Sequence, residues 1–217
     1  MGFHDYAAIY AVPGLYERVF YTELGMRSAE VVVGLYAQAL TEQGLDPAEQ
    51  RVLDFGAGNG IGGTELRDVG VGYVVGLDLE PEAQTAAARD RPGAYDHYLV
   101  GELGATQSAL LSDLGELRLT AMLALSAIGV GHVPPDALAE VLALLDVGGL
   151  FAFAVTPSLL PGSEDTEGQA SGYPDFLADL LDRTDELART EYVHRRYADG
   201  TDHPAVAFAG RVPDAQR

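Results

Sequence analysis

The hydrophobic pattern changes rhythm near residue 50. Before it, apolar positions recur at helical spacing. Phe3–Tyr10 reads as a short helix punctuated by Val12-Pro13-Gly14, after which Leu15, Val19 and Phe20 share a face. Ser28 is placed to cap a longer helix whose stripe is Val31, Val32, Leu35, Ala39 and Leu40; Gly44 and Pro47 close it. From Arg51 onward, short continuous apolar runs alternate with helical segments. Strands are predicted over Arg51–Phe55, Tyr73–Leu77, Tyr95–Val100, Leu117–Leu125 and Leu150–Val155. Helices are predicted through Glu65–Val69, Glu82–Arg89, Thr106–Leu114 (closed by Gly115) and Pro135–Leu145 (stopped by Gly148-Gly149). Strands that are apolar on both faces, separated by helices, predict a parallel sheet covered on both sides.

The remainder predicts a long loop over Thr156–Gly172, a helix over Tyr173–Leu187, and a hairpin of Glu191–Tyr197 with Ala205–Val212 around Asp199-Gly200. The expectation is a single domain over 1–217. It divides into a helical cap at 1–45, a ligand-binding core at 51–155, and a lid loop, helix and closing hairpin at 156–217.

Composition removes several chemistries. The 217 residues include no Cys, and all 13 basic residues are Arg. Disulfides, thiolate metal sites, cysteine nucleophiles, Schiff-base lysines and the P-loop lysine are therefore excluded. The net charge, 13 − 33 = −20, opposes nucleic-acid phosphates and anionic membranes, and it also suits solubility or a salty cytoplasm. No apolar run reaches the roughly 18 residues of a membrane-spanning helix, and the N-terminus lacks a signal-peptide pattern. A cytoplasmic protein with a small-molecule partner, and without nucleic-acid or membrane partners, is expected.

The chemistry concentrates where the first strand runs into glycines: Val52-Leu53-Asp54-Phe55-Gly56-Ala57-Gly58-Asn59-Gly60. Five glycines lie between Gly56 and Gly63, more than a strand-to-helix turn requires. Two registers compete. Gly58-Asn59-Gly60-Ile61-Gly62-Gly63 fits the dinucleotide pattern G-x-G-x-x-G, but late relative to the strand end. Asp54-x-Gly56-x-Gly58-x-Gly60 instead sets an acid in the strand end. A second acid ends the next strand (Gly76-Leu77-Asp78-Leu79), and a third follows the third strand (Val100-Gly101-Glu102-Leu103). A double glycine precedes the fifth (Leu144-Leu145-Asp146-Val147-Gly148-Gly149-Leu150).

In these features the chain resembles the class I S-adenosylmethionine-dependent methyltransferases, well over Arg51–Val155 and weakly elsewhere. The resemblance implies a Rossmann-like, doubly wound, mostly parallel seven-stranded α/β sheet with helices on both faces, an antiparallel last strand and an N-terminal helical lid. It implies S-adenosylmethionine as cofactor and methyl transfer to an oxygen or nitrogen of a small acceptor. Gly56, Ala57 and Gly58 would approach the methionine part. Asp54 would hold the loop or reach the ammonium through water, and Asp78 would accept from the ribose hydroxyls. Leu79 would cover the adenine, with Glu102 and Leu103 at its edge. The backbone at Leu125 or Ser126 would meet the methionine end.

The acceptor side leaves alternatives. His132, in the segment after strand four, is either a general base or a pin for that loop. Tyr6, Tyr10, Tyr16 and Tyr21 either surround the sulfonium and acceptor or pack the cap. Arg27 and Ser28 either reach the methionine carboxylate or cap the helix. His194, Asp199, Asp202 and His203 either gather a divalent metal or sit in a solvated turn; their spacing matches no established metal motif. Ala124–Pro135 holds no Asp or Glu, which weighs against a metal-dependent mechanism. A non-methylating enzyme using the same cofactor, such as a cyclase, and a non-catalytic cofactor binder share these motifs.

Overall fold

A computed structural model describes residues 5–103 and 108–212, apart from the side chain of Ser108. Phe3 and Thr106, expected in helices, lie outside the described residues. The strands are β1 (Arg51–Phe55), β2 (Tyr73–Asp78), β3 (His97–Val100), β4 (Ala121–Ala124), β5 (Leu150–Val155), β6 (Asp185–Arg196) and β7 (Asp202–Arg211). They form one seven-stranded sheet in the order β3-β2-β1-β4-β5-β7-β6. The first five strands are parallel, and β7 runs antiparallel between β5 and β6. The order reverses between β1 and β4, so a crevice opens beyond the carboxyl ends of these strands.

Alternation along each strand divides the core. Met122 and Ala124 of β4, with Phe151, Phe153 and Val155 of β5, face α5 (Ser108–Glu116), α6 (Pro135–Ala143) and α8 (Tyr173–Arg183). Ala121, Leu123, Leu150, Ala152 and Ala154 face α2 (Ser28–Gln43) and α3 (Ile61–Val69), where Val32, Val33, Tyr36, Leu40 and Leu66 pack. Both faces of the sheet are therefore covered.

The N-terminal cap is separate from these clusters. It comprises α1 (Tyr6–Tyr10) and a π-helix over Glu17–Glu23, in which the Leu24 N–H reaches the Val19 carbonyl. Its own apolar cluster is Ile9, Phe20 and Met26. It docks on α4 (Pro81–Asp90) because the apolar face of that helix is alanine: Ala83 and Ala86 leave room for Tyr10. Two arginines at the end of α4 latch it. The Arg89 guanidinium donates to the Tyr10 carbonyl at 3.1 Å. Arg91 pairs with Glu17 at 2.6 Å and donates to the Asn59 carbonyl at 3.1 Å.

The structure corrects several sequence-based boundaries. Ser28 does not cap α2; the N-cap is Arg27, and the Ser28 hydroxyl lies between Tyr192 and His194. Strand three starts at His97, since the Tyr95 ring turns inward toward Asp54. Gly115 does not close α5, which runs to Glu116; Arg118 makes the turn instead, in a left-handed conformation (φ 51°), and β4 begins only at Ala121. The Thr156–Gly172 segment holds a short helix α7 (Thr166–Ala170), capped by the Asp165 carboxylate accepting from the Gly168 N–H at 2.7 Å. Helix α8 ends at Arg183 because Asp185–Glu191 is drawn into pairing with β7, a long-range contact that overrides local preference.

Candidate active site

A cleft of about 710 Å³ opens at the carboxyl edge of the sheet, within the range of small-molecule sites. The glycine loop reaches it through Gly56. The Gly56 and Ala57 N–H groups both donate to the Leu77 carbonyl, at 2.8 and 3.0 Å. The Gly58 N–H donates to Asp78 Oδ2 at 2.8 Å, and the Gly60 N–H to the Ala57 carbonyl at 3.1 Å. The loop thus spends these donors on itself and on β2.

Two of its glycines are needed for close packing. A Cβ on Gly56 would collide with Ala127, behind strand four. Gly58 has φ +54°, and a Cβ there would stand 2.7 Å from the Tyr10 hydroxyl. The close approach that Gly58 permits is therefore that of the cap tyrosine.

Asp54 lies beneath the loop, 1% exposed. Its Oδ2 accepts from the Tyr95 hydroxyl at 2.8 Å, while Oδ1 is buried without a hydrogen-bond partner among the described residues. Burial pushes its carboxyl up to about 7, against the lowering effect of the Tyr95 bond. Asp78 ends β2 and lines the cleft. Besides the Gly58 N–H it accepts the Glu80 N–H at 3.0 Å on Oδ1. Burial raises its pKa and the backbone donors oppose that rise. The carboxylate keeps acceptor capacity for a hydroxyl.

Of the residues singled out in the sequence, Gly56, Asp78, Leu79, Glu102, Leu103, Ser126, His132, Tyr6, Tyr10 and Tyr16 line this cleft. Leu79 is 58% exposed, an apolar side chain held open to the cleft. Asp54, Ala57, Gly58 and Tyr21 are not in its lining. Ala57 and Gly58 lie in the loop beneath, and the Tyr21 ring lies tilted by 49° to that of Tyr16, with centroids 6.3 Å apart. Tyr6 has its ring 6.2 Å from Tyr10 and 6.3 Å from His132, joining the cap to the segment after β4. The His132 N–H donates to the Gly129 carbonyl at 3.1 Å.

The cleft has a second wall, part of it from the segment expected as a lid loop and part from the hairpin, which sequence reasoning did not bring to the site. Thr156 and Ser158 come from the segment after β5, and His194, Arg195, Tyr197 and His203 from the β6–β7 hairpin. Pairing jumps from Val193↔Pro204 to Arg195↔His203, so His194 is the extra residue of a β-bulge. The bulge lets the consecutive residues His194 and Arg195 both reach the cleft. His194 Nδ1 lies 2.5 Å from the Ser28 hydroxyl, which lies 2.8 Å from that of Tyr192. Burial, with the nearby His203 and Arg195, pushes His194 down to about 3 and keeps it neutral. Asp199 instead lies in the turn, accepting from Thr201. Among the described residues, no three His, Asp or Glu side chains group as metal ligands. The Tyr-x-His alternation of Tyr192–His194 was the available signal; the bulge was not visible.

Comparison with solved structures places this architecture. The N-methyltransferase NodS from Bradyrhizobium japonicum, in complex with S-adenosyl-L-homocysteine, superposes with a TM-score of 0.61 at 12% identity, over 98% of both chains. The chain has the class I S-adenosylmethionine-dependent methyltransferase fold. An S-adenosylmethionine-dependent methyltransferase from Anabaena variabilis matches this fold with a TM-score of 0.53 at 17% identity, over 82% of this chain and 83% of its own. A chain of the complex between the Haloferax volcanii Trm112 methyltransferase activator and a methyltransferase gives 0.59 at 19% identity, over 96% of this chain and 98% of its own. No family model and no curated protein sequence matches. No helix among the described residues is long and apolar enough to cross a membrane.

Proposed function

We propose that this protein transfers a methyl group from S-adenosylmethionine to an oxygen or nitrogen of a small-molecule acceptor. One observation carries the reading: Asp78 and Glu102, at the ends of β2 and β3, enter one cleft with exposed Leu79 between the glycine loop and the cap. A ribose diol and an adenine are matched by such a carboxylate and such an apolar face. The loop supports the choice of cofactor. A dinucleotide pyrophosphate needs backbone N–H groups aimed at it, whereas here Gly56, Ala57 and Gly58 donate internally. A ligand without phosphate asks for no such donors.

When bound, S-adenosylmethionine supplies an electrophilic methyl group on a sulfonium. Asp78 would hold the ribose, and Leu79 and Leu103 would flank the adenine with Glu102 at its edge. Asp54 acts through the loop, fixing Tyr95 beneath it. Tyr6, Tyr10 and Tyr16 exclude water and present aromatic faces to the cation. His132, beside Tyr6, is the base proposed to receive the acceptor's proton; orientation in the closed cleft supplies much of the remaining rate. The shape of the cleft and the charge of −20 favour a small acceptor over a nucleic acid.

Calorimetry with S-adenosylhomocysteine tests the reading. The native chain should bind it, and Asp78→Ala should weaken binding about tenfold to a hundredfold, as expected for losing a charged acceptor. Unchanged affinity in a variant that melts normally rejects the ribose assignment. Absence of binding by the native chain rejects the cofactor.

A further inference from the structure

The charges in the cleft are sorted by element. Carboxylates of Asp78, Glu80 and Glu102 stand beside β2 and β3, whereas Arg195 stands on the hairpin side with His194 and His203. Resting on the methyltransferase reading, we propose that the hairpin side receives a small carboxylic acid as methyl acceptor, its carboxylate held by the Arg195 guanidinium.

Arg195 owes its place to the bulge at His194: without the extra residue, alternation would send His194 and Arg195 to opposite faces. The side chain is braced there. One nitrogen donates to the Arg196 carbonyl at 3.0 Å, and the guanidinium lies 5.5 Å from the centroid of the Tyr197 ring. A planar fork of donors matches a carboxylate in a bidentate pair.

The neighbours sharpen the assignment. His194 and His203 are both pushed toward the neutral form by burial and by Arg195 itself, so among the described residues lining this wall the guanidinium is the permanent cation. In a chain of net charge −20, an anion is admitted only where a local cation offsets the repulsion. Tyr6 lines the same cleft, with its ring 6.3 Å from that of His132. An acid anchored at Arg195 would lay its apolar body along Tyr6 and point its far hydroxyl or amine toward the cofactor side. The Thr156 and Ser158 hydroxyls, 2.9 Å apart, add polar partners on the same wall.

The rival source of a carboxylate is the methionine end of the cofactor. Calorimetry on the full chain, saturated with S-adenosylhomocysteine, separates the two. The probes are 4-hydroxybenzoate and its neutral isostere 4-hydroxybenzamide. The native protein should bind the acid about tenfold more tightly than the amide. In Arg195→Met that preference should fall below about threefold, while S-adenosylhomocysteine affinity stays within about twofold. Arg195→Lys should retain part of the preference. The proposal is overturned if the native protein shows no preference for the acid, or if the preference survives in both variants. It is also overturned if Arg195→Met costs S-adenosylhomocysteine about tenfold, which assigns the guanidinium to the cofactor. Failure of the native chain to bind S-adenosylhomocysteine removes the methyltransferase reading itself; binding of that ligand without acid preference removes only this inference.

Discussion

Asp54 is sealed under the glycine loop, with Tyr95 on one oxygen and, among the described residues, no partner on the other. Its folded-state pKa near 7 exceeds the ordinary value of 3.8, so the folded state retains a proton that the unfolded chain has lost. Stability from this group is therefore greatest below about pH 4 and declines as pH rises to about 7. A rise of that size corresponds to at most about 4 kcal/mol. Asp54→Asn keeps an acceptor for Tyr95 and removes the charge. Its melting temperature relative to the native protein should therefore rise between pH 4 and pH 8, as thermal melts at both values would show. An identical pH profile in the two proteins would mean that Asp54 does not hold its proton. Of the two roles open to this acid in the sequence, holding the loop or reaching the cofactor's ammonium through water, its burial beneath the loop is consistent with the first.

Among the elements, the cap is the one whose role packing can decide. Neither large cluster flanking the sheet contains a residue before Ala29. The cap holds on through Tyr10 against Ala83 and Ala86, the Tyr10 hydroxyl over Gly58, and the Arg89 and Arg91 latches. These contacts are with α4 and the glycine loop rather than with the strands of the sheet. Deleting residues 1–22 spares Leu24 and Arg27, whose backbones bond to β6. The truncated chain should melt within about 5 °C of the native one, yet bind S-adenosylhomocysteine about tenfold more weakly. A melting point lower by about 15 °C, with affinity retained in the folded fraction, would make the cap structural. In the hairpin, packing overrode the local pattern. The segment Asp185–Leu187 read as the end of a helix, but pairing along β7 made it strand.

Across the whole molecule, 33 acids against 13 arginines leave a net self-repulsion that the fold must overcome. Screening should therefore stabilise it. Raising NaCl from about 10 to about 300 mM shortens the Debye length from about 30 Å to below about 8 Å. The melting temperature should increase over that range, measured by calorimetry at constant pH. A decrease would mean that the ion pairs, Arg91–Glu17 and Arg67–Asp96 among them, outweigh the repulsion.

By itself the sequence determined the parallel core and the position of the ligand crevice. Both follow from local facts: apolar strands between helices, an acid and glycines at the first strand end, acids after the next two strands. A buried strand must be apolar on both faces and a tight backbone turn must be glycine, so these demands are written in the chain where they act. Tertiary structure alone decided which groups meet in the cleft. The Gly58 cradle for Tyr10 joins residues far apart in sequence, as does the Ser28–His194 contact. The placement of Arg195 depends on a bulge whose only cause is a one-residue slip between β6 and β7. Such contacts arise from sheet order and register, and no local pattern of residues encodes them.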